Sequence, residues 1–600
     1  MDPVTLNELA FSALDGFRQP ALFKSRRDAA WVGMSARDVE RRVRELSLGL
    51  GELGVKPGDR VALLSENRHE WVESDLAILT ARAVAVPIYP SLPAAAVEKV
   101  LAHSESKVLV CSSAAQAAKA DRAKLPKLKH VVVFDGTAPD TKPLADVLHM
   151  GGERAAREPY LHRAEAQRAR PEDLATIIYT SGTTGDSKGV MLTHGNIASN
   201  VNACVRAIRL QPDDLALSIL PLSHIFERMM TFSLLRSGAA IAFGGPPDRV
   251  PQDLIEVHPT IVAAVPRFFE KMHEKIFSAV RAAKPSRRKM FEAALEVGRE
   301  RSRCLIAGRP LPQALAWKWR IARMLVFRKV REALGGQVRM FISGGAPLPR
   351  ELGEFFHAAG LPILEGYGLT ETSPVLTLNR MDDLKFGTVG KPVPEVDIRI
   401  AEDGEILARG PGIMAGYHKA PKETKEALAG GWFHTGDVGH FDPQGFLLIT
   451  DRKKDLIKTS GGKYVAPQPI ESALRESKFV QSAVVLGDRR KFCIALVVPR
   501  YEALEAWAGD RHLSFPARHD LLASSPVREL FESELIRVNA GKAPYETIKT
   551  FALLDRDFTM ADGELTPTLK VKRRVIEERH KALIDALYAN GTDGSPDAKA

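Results

Sequence analysis

Hydrophobic positions in the first part of the chain alternate between helical spacing and short continuous runs. One apolar stripe recurs every three or four positions and predicts an amphipathic helix; its members are Val39, Val43, Leu46, Leu50 and Leu53. Ser35 precedes this stripe and can cap the first helical turn. Continuous apolar runs predict buried strands at 60–64, 84–88, 107–111 and 131–134, with a helix at 93–103. Because strands alternate with helices, we predict a parallel, doubly wound sheet with helices on both faces.

The later pattern predicts further units. Residues 197–208 carry a helical stripe, and the α/β texture continues to about residue 374. Short strands and many glycines between 389 and 446 predict a small β-subdomain. The charged segment 451–455, Asp-Arg-Lys-Lys-Asp, is expected to be an exposed junction. We therefore predict an α/β fold with a large N-terminal domain, 1–452, and a small α+β C-terminal domain, 453–588. The small and polar segment 589–600 is expected to be disordered.

Composition is ordinary for a globular protein, with 45% apolar and 26% charged residues among 600. The net charge of +10 favours anionic substrates or an anionic membrane surface without choosing between them. No nucleic-acid motif is visible, so we expect no nucleic-acid partner. The cysteines are scattered without metal-binding spacing and fit a reducing compartment; they are Cys111, Cys204, Cys304 and Cys493.

The N-terminal segment 1–15 contains acidic residues and no long apolar core, so it does not read as a secretory signal. The most apolar stretch, 76–89, is short and is interrupted by Arg82 and Pro87. No run approaches the roughly 20 apolar residues that a membrane-spanning helix needs. We expect a cytoplasmic protein.

The most informative segment is 179–189, with the sequence Tyr-Thr-Ser-Gly-Thr-Thr-Gly-Asp-Ser-Lys-Gly. It follows an apolar run, 174–179, that predicts a buried strand. Glycines allow a close backbone approach to a ligand, and amides, hydroxyls and Lys188 can face an anion. The common G-x-x-x-x-G-K-[ST] spacing is absent, so this is a different phosphate loop. A glycine-rich surface linker is the alternative.

Four other segments carry chemistry. Glycines after the apolar run 338–342, in Ser343-Gly-Gly-Ala-Pro347, allow a flat ring to lie against the backbone. Segment 365–371, Glu-Gly-Tyr-Gly-Leu-Thr-Glu, offers an aromatic ring, a hydroxyl and a carboxylate suited to Mg²⁺ with phosphates. Segment 431–437 ends in Asp437, whose carboxylate suits the two ribose hydroxyls, and Arg452 can reach the same sugar. Segment 562–570 ends in Lys570. Each of these alone has an ordinary structural alternative: a turn, or a solvated charge.

Together, in this order and spacing, the segments resemble the adenylate-forming superfamily, specifically the AMP-forming long-chain fatty acyl-CoA synthetases. The resemblance covers residues 5–585. The motifs are the glycine loop, Gly366-Tyr-Gly-Leu-Thr-Glu371, Thr435-Gly-Asp437, Asp451-Arg-Lys-Lys-Asp455 and Leu565-Thr-Pro-Thr-Leu-Lys570. The long-chain subgroup depends on Pro221-Leu-Ser-His-Ile-Phe-Glu-Arg228, the form of the lysine motif, and a helical segment at 272–335.

The resemblance implies ATP, Mg²⁺ and coenzyme A as ligands and assigns roles by motif position. Lys570, Glu371, His224 and Thr184 are implied catalytic residues, and Glu371 and Thr184 are implied to hold Mg²⁺. The implied binding residues are Thr180, Ser181, Gly182, Thr183, Thr184, Gly185, Lys188, Gly344, Gly345, Glu365, Gly366, Tyr367, Gly368, Thr370, Asp437, Arg452, Lys454, Gly461, Gly462 and Lys570. A structural histidine is the alternative for His224.

The implied reaction has two steps: the fatty acid and ATP give acyl-AMP and pyrophosphate, and coenzyme A then displaces AMP. The C-terminal domain is implied to rotate between these steps about Lys454, which makes it a mobile domain. One alternative is an acyl-AMP ligase that loads a carrier protein. Another is an inactive lipid-binding protein on the same scaffold, disfavoured because Lys570, Glu371, Asp437 and Arg452 are all present.

Segment 312–330 interleaves apolar residues with basic ones. The apolar residues are Trp317, Ile321, Met324, Leu325 and Phe327, and the basic residues are Lys318, Arg320, Arg323, Arg328 and Lys329. A helix of this kind can lie at an anionic membrane surface, which predicts a peripheral membrane contact. The alternative is a packing helix with a solvated basic face.

Overall fold

The structure is a computed structural model that describes residues 2–28, 30–180, 187–453, 455–461, 463–513, 515, 517–560, 562–566 and 571–590. Its N-terminal part is built on two large sheets. The first sheet runs, in spatial order, through Gly416–Tyr417, Lys188–Thr193, Leu174–Thr180, Val84–Ile88, Arg60–Leu64, Val108–Ser113, His130–Asp135 and Lys142–Pro143. The second runs through Lys391–Pro392, Val375–Leu378, Ile363–Gly368, Met340–Ser343, Ile261–Ala264, Leu215–Ser218, Ala240–Phe243, Phe23–Arg27 and Ala30–Met34.

The strands in the middle of both sheets are parallel, as in the pairs of Arg60–Leu64 with Val84–Ile88 and with Val108–Ser113. Antiparallel strands occur towards the sheet edges, where Leu174–Thr180 pairs with Lys188–Thr193. The predicted doubly wound α/β fold is confirmed. The strand Lys188–Thr193 is an addition to the prediction, and it makes the glycine loop the connection of a hairpin.

Helices cover both sheets. In the N-terminal part they are Leu6–Gly16, Ala36–Glu52, His69–Thr80, Ala94–Ser104, Ala114–Ala117, Leu144–Arg157, Leu161–Ala166, His194–Ile208, Ile225–Ser237, Val250–Val257, Pro266–Arg281, Pro285–Ile306, Gln313–Ala322, Arg328–Glu332, Arg350–Ala358 and Pro421–Ala427. Short 3-10 turns occur at Arg122–Lys124, Thr370–Thr372 and Ala429–Gly431, and a π-helical turn occurs at Arg323–Phe327.

The main core lies between the two sheets and joins side chains of both. His69–Thr80 and Ile225–Ser237 lie in this layer and are buried on nearly all sides. Burial on nearly all sides includes polar side chains, among them Asp75 of the first helix and Arg228 of the second. In Ala36–Glu52, by contrast, burial follows the predicted stripe on one face as far as Glu45, and every residue from 46 to 50 is buried. The Ser35 hydroxyl accepts a hydrogen bond from the Asp38 amide at 3.1 Å.

The β-subdomain is an antiparallel sheet with the spatial order Asp397–Ile400, Glu405–Arg409, Phe433–Phe441 and Leu447–Arg452. The C-terminal part contains the hairpin Ile457–Lys458 with Tyr464–Val465 and the sheet Val480–Leu486, Cys493–Pro499 and Ile548–Leu553. Its helices are Pro467–Arg475, Tyr501–Gly509, Arg518–Ala523, Ser525–Asn539, Arg573–Arg579 and Lys581–Asn590. Apolar clusters pack on both faces of the larger C-terminal sheet.

Some predicted boundaries need correction. Pro93 is the residue before the helix Ala94–Ser104 rather than part of its first turn. Gly366, Tyr367 and Gly368 belong to the strand Ile363–Gly368, and Asp437 lies inside the strand Phe433–Phe441 rather than at a turn. The junction 451–455 is also not exposed throughout, because Asp451 retains only 1% exposure. The predicted disordered tail 589–600 begins too early, because residues 589 and 590 end the helix Lys581–Asn590, and residues 591–600 lie outside the described residues.

Candidate active site

Two glycine-containing segments meet where parallel strands end. Met340–Ser343 pairs in parallel with Ile363–Gly368, with Ser343 opposite Glu365. Gly344 therefore lies beside Gly366: a Cβ at Gly344 would lie 3.7 Å from the Gly366 carbonyl oxygen and 3.3 Å from the Phe226 ring. In open α/β sheets, ligands bind at the carboxyl ends of the strands. The structure thus brings together two of the predicted nucleotide segments at a suitable edge.

Three predicted residues form one hydrogen-bonded group beside this edge. The Tyr367 hydroxyl donates to Asp437 Oδ2 at 2.7 Å, and Arg452 Nε lies 3.1 Å from Asp437 Oδ1. Asp437 and Arg452 are opposite each other on paired strands. Tyr367 packs its ring in the apolar core of the β-subdomain. Both oxygens of the carboxylate predicted to bind ribose are therefore held by side chains of the protein.

Burial and charge shape the titration of this group. Burial and the Asp437 carboxylate raise the pKa of Tyr367 well above its usual range. Burial acts to lower the pKa of Arg452, but the carboxylates of Asp437 and Asp455 outweigh it, so that pKa is raised. Arg452 is thus a permanent cation, and Tyr367 a permanent hydroxyl donor, at neutral pH.

Glu365 has a different surrounding from its motif neighbours. Its side chain is 7% exposed, and its Oε1 accepts a hydrogen bond from the Leu348 amide at 3.0 Å. Burial raises the pKa of Glu365 to about 8. Glu365 is therefore a neutral carboxyl that anchors the segment after Gly345 through the Leu348 amide. The predicted contact of Glu365 with the nucleotide stays a prediction.

Thr370 and Glu371 lie in the short turn Thr370–Thr372 that follows the strand. The chain is compact here, since a Cβ at Gly368 would lie 1.8 Å from the Pro374 carbonyl oxygen. Glu371 Oε1 accepts a hydrogen bond from the Tyr417 hydroxyl at 3.0 Å. Burial raises the pKa of Glu371. A carboxylate in this setting gains from a nearby cation, because the cation offsets the cost of burying its charge.

The base of the glycine loop is a hairpin. Tyr179 pairs with Gly189 and Thr180 with Lys188, so the first and the last of the predicted phosphate-binding residues flank the loop. The Lys188 ammonium lies 5.0 Å from the centre of the Tyr417 ring. This places Lys188 and Glu371 on two sides of the same tyrosine.

His224 is the residue before the helix Ile225–Ser237, and its Nδ1 accepts a hydrogen bond from the Phe226 amide at 3.2 Å. The neutral imidazole therefore carries its proton on Nε2, where it can serve as a donor. Asn67 lies between the strand Arg60–Leu64 of the other large sheet and the helix His69–Thr80; it donates to the Leu220 carbonyl and accepts from the Leu222 amide at 3.0 Å. Since Phe226 packs against Gly344, this helix begins next to the glycine edge.

The junction to the C-terminal part is charged and partly buried. Lys453 contacts Asp403 and Glu405 of the β-subdomain at 2.6 and 2.9 Å. Asp451 is buried, and burial together with Asp455 and Glu471 raises its pKa to about 7. Ser460 precedes the predicted binding residue Gly461, and the Ser460 amide donates a hydrogen bond to the Arg490 carbonyl at 2.8 Å.

Several predicted residues lie outside the described part of the chain. They are Ser181, Gly182, Thr183, Thr184, Gly185, Lys454, Gly462 and Lys570. Within the described residues, no group of three or more His, Cys, Asp or Glu side chains could hold a metal ion. In the same part of the chain, no helix is both long and apolar enough to cross a bilayer.

Sequence reasoning missed Tyr417 and Asn67. Tyr417 lies 46 positions after Glu371, and Asn67 lies 153 positions before Leu220. Neither has a local pattern that distinguishes it from an ordinary strand or loop residue. For Tyr417, the sequence offered one indirect sign, which is the glycine before it. In the structure Gly416 has φ +143° and packs closely on Thr424.

Two family models cover most of the chain. The model of the AMP-binding enzyme matches residues 17–418, and the model of the AMP-binding enzyme C-terminal domain matches residues 454–592. Among solved structures, the adenylation domain of a carboxylate reductase from Mycobacterium chelonae is similar, with a TM-score of 0.74 and 23% identity. This similarity covers 98% of this chain and 92% of that one, and it supports the fold.

Curated relatives match this chain over nearly its full length. The long-chain-fatty-acid–CoA ligase FadD15 of Mycobacterium bovis is 38% identical over 568 residues, covering 94% of this chain and 93% of the relative. The peroxisomal long chain acyl-CoA synthetase 7 of Arabidopsis thaliana is 32% identical over 591 residues, covering 94% and 83%. The family resemblance drawn from the motifs is confirmed. The chain therefore belongs to the AMP-binding enzyme family, in the group that contains the long-chain fatty acid–CoA ligases.

Proposed function

We propose that this protein is an AMP-forming long-chain fatty acid–CoA ligase, which converts ATP, a long-chain fatty acid and coenzyme A into acyl-CoA, AMP and pyrophosphate. The observation that carries this is the Tyr367–Asp437–Arg452 group beside the glycine edge. The relatives named as long-chain CoA ligases support both the acid and the acceptor. They favour free coenzyme A over the carrier-protein alternative.

In the first step a carboxylate oxygen of the acid bonds to the α-phosphorus of ATP, and pyrophosphate leaves with its bonding electrons. Asp437 and Arg452 hold the ribose, and Tyr367 packs on the adenine beside Gly344 and Gly345. His224 Nε2–H is the donor assigned to the acid. Thr180, Lys188 and the loop residues 181–185 hold the phosphates, and Lys570 bridges the acid and the α-phosphate.

Glu371 suits a hard cation. It is a carboxylate next to the base of the phosphate loop, and Mg²⁺ binds to one or two carboxylates together with substrate phosphates. We assign Glu371 and Thr184 as the residues that hold Mg²⁺. The ion would neutralise charge on the departing pyrophosphate.

In the second step the coenzyme A sulfur bonds to the acyl carbon, the thiol loses its proton, and AMP leaves. We assign residues 1–452 to an adenylation domain and 453–588 to a mobile domain that turns about Lys454 between the steps. This turn would remove Lys570 and bring the segment 460–463 near coenzyme A. Lys453, tied to Asp403 and Glu405, supplies a fixed residue on the N-terminal side of the pivot.

The test is coenzyme A-dependent release of AMP by the purified protein over a series of acids. Each buried methylene contributes about 0.8 kcal/mol, so acids of roughly twelve to eighteen carbons should give a higher kcat/KM than acetate. A preference for acetate or for an aromatic acid would contradict the substrate class. AMP release that requires a carrier protein instead of coenzyme A would contradict the acceptor.

We further propose a peripheral membrane contact through residues 312–330. Trp317, Met324 and Leu325 are 67%, 61% and 53% exposed. The exposed basic side chains beside them are Lys318, Arg320, Arg323, Arg328 and Lys329. Phe327 is not part of this surface, because it is fully buried in the core below. Exposed apolar side chains among basic ones fit an anionic lipid surface.

A further inference from the structure

Tyr417 connects two parts of the site that are far apart in sequence. Its hydroxyl donates to Glu371 Oε1 at 3.0 Å, and its ring centre lies 5.0 Å from the Lys188 ammonium. Glu371 belongs to the turn Thr370–Thr372, and Lys188 begins the strand that leaves the phosphate loop. A single side chain therefore contacts the carboxylate assigned to the cation and the ammonium assigned to the phosphates.

The backbone around Tyr417 is fixed on both sides. The Met414 amide donates to the Glu371 carbonyl at 2.9 Å, and the Ala415 amide donates to the Met191 carbonyl at 3.0 Å. Tyr417 then pairs with Val190 in the sheet, and its own amide donates to Thr424 Oγ1 at 2.9 Å. The segment 414–417 thus joins the turn that carries Glu371 to the strand that begins at Lys188.

The geometry points to Tyr417 as a positioning residue that sets the Glu371 carboxylate and the Lys188 ammonium relative to each other at the pyrophosphate end of the bound nucleotide. The hydroxyl engages one carboxylate oxygen and so orients the other. The ring stabilises the ammonium through its π face. This inference rests on the proposed function, because it concerns how ATP is held.

The two contacts can be separated by substitution. Tyr417→Phe keeps the ring and removes the hydroxyl, whereas Tyr417→Leu removes both. A hydrogen bond to a charged group is worth about a factor of ten or more. For Tyr417→Phe we expect the Mg²⁺ concentration that half-saturates ATP binding to rise about tenfold, while ATP binding in EDTA stays at the wild-type affinity. For Tyr417→Leu we expect ATP binding in EDTA to weaken as well.

Calorimetry measures ATP binding with and without Mg²⁺, independently of turnover. The matched control is Tyr160→Phe, which removes a hydroxyl from a tyrosine that is 84% exposed. Unchanged Mg²⁺ dependence in Tyr417→Phe overturns the inference, and so does an equal loss of ATP affinity with and without Mg²⁺, which would mark general damage. If Tyr417→Leu does not fold, the phenylalanine variant alone decides. A wild-type protein that binds no ATP would instead contradict the proposed function.

Discussion

The Asp75 carboxylate and the Arg228 guanidinium form a bidentate ion pair, with donor–acceptor distances of 2.6 and 2.7 Å, that is almost completely buried. The two side chains retain 4% and 1% exposure. The pair links the helices His69–Thr80 and Ile225–Ser237, which lie between the two large sheets. Since His224 precedes the second helix, this contact also fixes where the site histidine stands.

We expect Asp75→Asn to lower the free energy of unfolding by about 3–5 kcal/mol, because it leaves a buried guanidinium without its counter-charge. Urea denaturation followed by circular dichroism measures the change. The control is Glu532→Gln, which breaks the exposed pair of Arg528 and Glu532 and should cost less than about 1 kcal/mol. A similar cost for both variants would contradict a stabilising role of the buried pair.

The stability of the protein should depend on pH through Glu227. Glu227 is fully buried, its Oε2 has no hydrogen-bond partner among the described residues, and burial raises its pKa from 4.5 to about 8. The folded state therefore keeps a proton that the unfolded state loses. The stability that this proton contributes is complete below pH 4.5 and is lost as pH rises through 8.

Glu227→Gln keeps the shape and removes this titration. Relative to wild type, the variant should gain stability by about 1.4 kcal/mol for each pH unit between those two values. Thermal unfolding of both proteins at pH 5 to 8 measures the difference. Parallel curves for the two proteins would show that Glu227 does not titrate in this range.

Lys570→Ala should abolish acyl-AMP formation and leave thioester formation from supplied acyl-AMP largely intact, because the role proposed for the lysine is confined to the first transition state. Pyrophosphate release measures the first half-reaction, and acyl-CoA formation from acyl-AMP measures the second. Equal loss of both would contradict a lysine that leaves the site between the steps.

Lys454→Pro should have the opposite effect, because proline fixes φ at the proposed pivot. Acyl-AMP should still form, and transfer to coenzyme A should slow. Lys458→Ala, in the hairpin Ile457–Lys458, is a nearby control that changes a lysine without restricting the backbone at the pivot. Thioester formation at the wild-type rate in Lys454→Pro would remove this residue from the hinge role.

Binding to anionic vesicles should be salt-sensitive, because each basic residue near the surface contributes about 1 kcal/mol that ions screen. The triple variant Trp317→Ser, Met324→Ser and Leu325→Ser should stay in the supernatant in vesicle sedimentation at low salt. Ile536→Ser, at a side chain 72% exposed on the C-terminal part, is the control and should bind like wild type. Equal binding of the triple variant would exclude this surface as the membrane contact.

Local features of the sequence were sufficient for much of the fold. Ser35 caps the predicted helix, and the runs 60–64 and 84–88 are strands with the predicted bounds. These features depend on capping and on burial periodicity within a few residues, which a sequence displays directly. The motif segments also predicted the right family, because their order and spacing can be read from the sequence without knowing which residues are in contact.

Only the tertiary structure decided which side chains meet. Tyr417 donates a hydrogen bond to Glu371, and Asn67 donates one to Leu220, in the segment before His224. Asp451 is buried, although its charged neighbours in the sequence predicted an exposed junction. Each of these depends on chain segments that are distant in sequence and are brought together by sheet pairing. Hydrophobic periodicity reports which face of an element is buried, but it carries no information about what that face is buried against.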